Sequence, residues 1–77
     1  MKISVRDNRQ LYKKAKQQFS SGKLRSAWRT NQHFLDEFGI ANNMKVIIDR
    51  WEGPFPVVTQ LEFNTEADYV WFMLRYS

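Results

Sequence analysis

The sequence predicts a small α+β domain with the element order β-α-α-β-β-α. Three observations carry that prediction. Residues 9–38 hold apolar side chains at helical spacing, residues 44–63 hold two β-rich runs split by a Gly-Pro turn, and the last dozen residues form an apolar run behind a helix-start signature. Strands and helices in these proportions pack as helices laid on one face of a sheet.

The first element is short. Lys2 to Arg6 alternates polar and apolar, with Ile3 and Val5 on one side, which predicts a strand. Asp7 or Asn8 then caps a helix over about Arg9–Phe19. Leu11, Tyr12, Ala15 and Phe19 form its apolar stripe, and its other face carries Arg9, Lys13, Lys16 and Gln17. Ser20-Ser21-Gly22-Lys23 interrupts, since Gly22 tolerates a left-handed backbone. A second helix is expected over about Leu24–Phe38, with Leu24, Ala27, Trp28, Phe34, Leu35 and Phe38 as its apolar set and Gly39 as its C-terminal stop.

Met44–Trp51 reads as a strand with Met44, Val46 and Ile48 on one face. Glu52 to Pro56 reads as a turn in which Gly53, Pro54 and Pro56 prevent pairing. Val57–Phe63 alternates, with Val57, Thr59, Leu61 and Phe63 expected inward. The two runs, 44–51 and 57–63, should form an antiparallel hairpin. Thr65 with Asp68 three residues on resembles a capping box, and Glu66 suits a helix N-terminus electrically. The run that follows would also suit a third strand, with Tyr69, Trp71 and Met73 alternating against Val70, Phe72 and Leu74; the cap and the acidic start favour the helix.

Seventy-seven residues make a single domain, residues 1–77. The chain has no cysteine, which excludes disulfides and thiolate metal sites and fits a reducing cytoplasm. MKISVRDNRQ lacks the apolar core of a signal peptide, and no run approaches a membrane span. A cytoplasmic protein with no membrane contact is expected.

Charge is segregated. Residues 1–30 carry nine basic side chains against one acid, a net +8; residues 31–77 carry three against seven, a net −4. The first half should seek an anionic partner. Arg9, Lys13, Lys16, Lys23, Arg25 and Arg29 are the candidate phosphate or acidic-surface contacts. A helix-turn-helix reading would use Arg25, Arg29, Asn31 and Gln32 on bases, but the connection is long and Trp28 occupies much of the second helix. The element order resembles the K-homology RNA-binding fold, whose GXXG loop lies between its first two helices. Here that loop is Ser20 to Lys23, with only Gly22, so the signature loop is missing.

Signals for catalysis are weak. The lone histidine, His33, has Asp36 and Glu37 one helical turn on, which more often marks a solvated helix end than a metal or catalytic site. Asp49 and Glu52 read as a solubilising turn. Nucleotide-binding glycine motifs are absent. The expectation is a protein that is not an enzyme and needs no cofactor or metal.

The last helix poses the sharper question. On a helical wheel Ala67, Val70, Trp71 and Leu74 make one face, read as core. Tyr69, Phe72, Met73 and Tyr76 make the opposite face, read as an exposed protein interface, for a partner or a second copy, unless another helix of the chain covers it. The C-terminal segment VVTQLEFNTEADYVWFMLRYS, with its Glu-Phe strand end, Thr-Glu-x-Asp helix start and apolar run ending in Leu-Arg and an aromatic, is similar to the tails of small accessory proteins of tailed bacteriophages. That resemblance covers about the last 20 residues. It implies a protein made in an infected bacterium that inhibits or redirects a host protein or nucleoprotein, such as a defence complex. It assigns no residue a role. The basic helices would meet an acidic surface or a DNA or RNA backbone; the alternative is a DNA- or RNA-binding regulator acting through those helices alone.

Overall fold

The computed structural model describes residues 1–23 and 27–76. Six elements follow in order: β1 (Lys2–Ser4), α1 (Arg9–Ser20), α2 (Asn31–Ala41), β2 (Met44–Glu52), β3 (Phe55–Phe63) and α3 (Glu66–Tyr76). The strands form one antiparallel sheet in the order β1-β3-β2, so β3 lies in the middle. This is the small, compact α+β arrangement with the expected element order.

The core sits on one face of the sheet. Met44 pairs with Phe63, Val46 with Leu61, and Ile3 with Leu61, so these side chains share a face. Tyr12 and Ala15 of α1, Phe38 of α2, and Phe72 and Tyr76 of α3 pack with Met44, Leu61 and Phe63 in one buried cluster. On the other face Lys2, Lys45 and Glu62 stand side by side, with Lys2 Nζ 3.5 Å from Glu62 Oε2. Both charges are solvated, so this pair adds little stability.

The β-hairpin differs from the expected alternation. The register shifts between Ile47/Gln60 and Ile48/Val58, leaving Thr59 as an extra residue on β3, and again before Arg50/Val57, leaving Asp49 extra on β2. Opposed bulges of this kind restore the register while turning the intervening side chains over. Val58 therefore packs on the core and Thr59 is exposed, the reverse of the sequence expectation. The turn is also tighter than expected. Gly53 (φ +62) and Pro54 form it, and Phe55 and Pro56 already pair with Glu52 and Trp51. A positive-φ glycine followed by proline has the φ signs of a type II′ hairpin turn.

Helix boundaries move for identifiable reasons. α2 begins at Asn31, because Thr30 is extended and its hydroxyl accepts from His33 N at 3.0 Å. The earlier residues read as helix, 24–29, lie ahead of that cap; 24–26 are outside the described residues. At its other end α2 runs through Gly39 to Ala41. Gly39 is a close-approach residue and not a stop: a Cβ there would lie 2.7 Å from the Met44 carbonyl oxygen. The stop comes at Asn42 and Asn43, the latter at φ 53.

α3 starts as expected. Asp68 N donates to Thr65 Oγ1 (3.2 Å) and Thr65 N donates to Asp68 Oδ2 (3.2 Å), which completes the capping box. Its two faces are exchanged. Phe72 and Tyr76 are buried and Tyr69 and Met73 half-buried, whereas Val70, Trp71 and Leu74 are exposed at 42, 71 and 68%. Phe72 lies 5.3 Å from Phe63, 6.2 Å from Phe38 and 5.1 Å from Tyr76, ring centre to ring centre. The side with more ring volume fills the space between sheet and helices. The face read as an interface, Tyr69, Phe72, Met73 and Tyr76, is thus turned inward: Phe72 and Tyr76 join the core, Tyr69 packs against it, and Met73 is half-buried.

Candidate nucleic-acid interface

α1 presents Tyr12, Ala15 and Phe19 to the core, so its cations fall on the flanks of that stripe. They do not form one patch. Lys13 lines a shallow hollow with Lys14, Gln17 and Tyr76. Arg9 is exposed on the first turn of α1. Lys16 lies on the other flank, its ammonium 4.3 Å from the centre of the Tyr12 ring, and partial burial lowers its pKa. Arg25 lies outside the described residues.

Lys23 and Arg29 come together on a groove. Its volume is ≈ 1010 Å³, and it runs between the segment that follows α1 and the tip of the β2–β3 hairpin. One wall carries Lys23, Trp28, Arg29 and Phe34; the other carries Trp51, Pro54 and Phe55. A smaller adjoining hollow shares Asn31, Phe34 and Phe55 and brings in Lys16. Three of the six predicted cations therefore border one continuous surface.

The walls are built from the chain's own physics. Trp28 is held in place by its indole N–H, which donates to Glu37 Oε2 at 2.6 Å, and by edge-on contact with Phe34 at 4.8 Å. Lys23 places its ammonium 4.6 Å from the Phe19 ring centre and 5.5 Å from that of Trp28, a cation held over aromatic faces. Across the groove, Asn31 Nδ2 donates to the Pro54 carbonyl at 2.8 Å, which ties the hairpin tip to the start of α2. Trp51 (45% exposed) and Phe55 (66% exposed) stand on that tip.

Charges of the opposite sign are partly neutralised. Arg50 donates to Asp49 Oδ2 at 2.8 Å and to Glu52 Oε1 at 3.1 Å, and those two carboxylates raise the guanidinium pKa. Glu37, held by Trp28 and then by His33, has its carboxyl pKa lowered.

His33 is occupied locally. Arg29 N donates to Nδ1 at 3.3 Å, and Nε2 lies 3.1 Å from Glu37 Oε1. An acceptor Nδ1 leaves Nε2 to carry the proton and donate to Glu37. Asp36 instead accepts from Gln32. Among the described residues no group of three His, Asp or Glu side chains is placed to hold a metal ion, and no helix is long and apolar enough to cross a membrane.

Sequence reasoning missed Trp51 and Phe55 as site residues: Trp51 closed the expected strand, and two prolines and a glycine made residues 52–56 look like an unpaired turn. The available signal was Phe55 itself, a large ring between Pro54 and Pro56 in a segment expected to be solvated. No protein family, curated protein or solved structure matches the chain.

Proposed function

We propose that this chain is a non-catalytic, phage-type binding protein whose groove between the α1–α2 segment and the hairpin tip takes nucleic acid. The observation that supports it is the convergence of Lys16, Lys23 and Arg29 on an aromatic-lined surface. Phosphates pair with the cations, and the apolar walls suit bases. The position of the groove agrees with the K-homology resemblance in element order. There too the loop between the first two helices contacts RNA, and here Ser20 and Lys23 of that connection line the groove, with Gly22 at φ +79. The phage resemblance suggests that the nucleic acid is in the cytoplasm of an infected bacterium, alone or within a host nucleoprotein such as a defence complex. The test is a gel shift with random DNA and RNA across a salt series. Three phosphate contacts predict a log–log salt slope of about −2 on single strands. Binding absent at low salt would remove this reading.

A second reading rests on the outer face of α3. Val70, Trp71 and Leu74 are exposed there, and Glu66 and Asp68 lie in the helix's first turn. That combination suits a host protein with an apolar centre and a basic rim. Trp71→Glu should release a protein partner that stays bound after nuclease treatment of a lysate. Unchanged retention would eliminate this surface.

A further inference from the structure

We infer that the groove is a base-stacking site for a single strand, with Trp51 and Phe55 each offering a ring to a base, and not a seat for duplex. The inference rests on the nucleic-acid reading above and adds the class of ligand.

Three features of the groove lead to it. First, Trp51 and Phe55 are large rings left exposed on the strand ends that flank the Gly53-Pro54 turn, and both line the groove. Exposed rings along a groove are surfaces that bases cover, because every base has a π face and stacking is indifferent to sequence. Second, the cations stand opposite the rings: Lys23 and Arg29 line the far wall, and Lys16 lines the adjoining hollow beside Phe55. A strand laid along the groove places its bases on one wall and its backbone on the other. Third, the hydrogen bond from Asn31 to Pro54 fixes the tip to α2, so the tip is set before the ligand arrives.

Duplex does not satisfy this arrangement. Its base faces are stacked on each other, and it would meet the cations while leaving both rings against water. An acidic peptide meets the same difficulty, since it offers carboxylates but no planar faces.

The experiment uses the full chain and a labelled oligothymidylate of about a dozen nucleotides, a duplex of equal length and a polyglutamate competitor, read by fluorescence anisotropy at low salt. The wild-type chain should bind the single strand about tenfold or more tighter than the duplex. Trp51→Ala combined with Phe55→Ala should weaken single-strand binding about tenfold or more and leave the duplex unchanged, consistent with the cost of removing a stacked ring. Both rings are exposed, and circular dichroism checks that the variant is folded; if it is not, Phe55→Ser alone carries the same comparison. Equal affinity for the two forms, an unaffected ring variant, or displacement by polyglutamate at equal charge would overturn the stacking site while leaving an electrostatic interface standing. Failure to bind either oligonucleotide would overturn the parent reading instead.

Discussion

The aromatic residues of this chain divide into two regions that look alike in sequence and behave oppositely in the fold. One is the cluster of Phe38, Phe63, Phe72 and Tyr76, in which adjacent rings pack 5.1–6.5 Å apart between sheet and helices. The other is scattered on the surface: Trp51 and Phe55 at the hairpin tip and Trp71 on the outside of α3. Residue type does not separate them. Phe72 and Trp71 are neighbours in the chain, one 2% exposed and the other 71%. What separates them is the rotation of a helix about its axis, set by which of two apolar faces fills the space above Phe63.

The largest expected effect tests that rotation directly. Phe72→Ala removes a buried ring that touches three others and should cost about 3–5 kcal/mol. A domain of this size has little stability beyond that, so the variant should be largely unfolded at room temperature. Trp71→Ala, one residue away, should change stability by less than about 1 kcal/mol. Urea unfolding of the two variants checks this. A larger loss for Trp71→Ala than for Phe72→Ala would mean that α3 is turned the other way.

The next effect uses pH. Tyr12 belongs to the buried region, and burial pushes its phenol from an ordinary value near 10 to about 12. The unfolded chain therefore ionises Tyr12 near pH 10 while the folded chain holds the proton. Its stabilising contribution is complete below pH 10 and is lost as pH rises through about 12. The full loss is about 2–3 kcal/mol, at 1.36 kcal/mol for each unit of separation. Urea midpoints near pH 9 and above pH 11 should fall further in the wild-type chain than in Tyr12→Phe. Identical slopes would show that Tyr12 is not the group responsible.

The legibility of the fold follows the same division. Strand and helix order could be read because each rests on local rules: alternation in 44–51, the helical stripe of α1, the Thr65–Asp68 box. Three features could not be read. Helix rotation in α3 depends on volume supplied by Phe38 and Phe63, which are distant in sequence. The paired bulges at Asp49 and Thr59 leave the alternation pattern intact on paper while inverting Val58 and Thr59 in space. The role of Gly39 depends on the approach of the Met44 carbonyl, a contact with no sequence signature. For the candidate site, the cations were visible as a charge imbalance. Their division into groove and non-groove members depended on which flank of α1 faces the hairpin; of the rings opposite them, Phe55 was hidden in an apparent turn and Trp51 at the end of a strand.

The smallest effect concerns a place where the buried cluster carries an unanswered polar atom. Tyr76 is 3% exposed, and its hydroxyl finds no hydrogen-bond partner among the described residues. Its ring is already well employed, against Phe38 at 6.5 Å and Phe72 at 5.1 Å on one side and under the Arg75 guanidinium at 5.4 Å on the other. Phenylalanine keeps every one of those ring contacts and removes the desolvated oxygen. Tyr76→Phe should therefore raise stability by about 0.5–1 kcal/mol, a rise in Tm of roughly 3–6 °C for a chain this short. The sign is the informative part. A stabilised variant makes Tyr76 an apolar member of the ring cluster in all but name, and the contrast with the exposed rings becomes one of packing alone. A loss of 1 kcal/mol or more would show that the hydroxyl is satisfied in solution, and would make the floor of the Lys13–Lys14 hollow a polar contact instead of the back of the core.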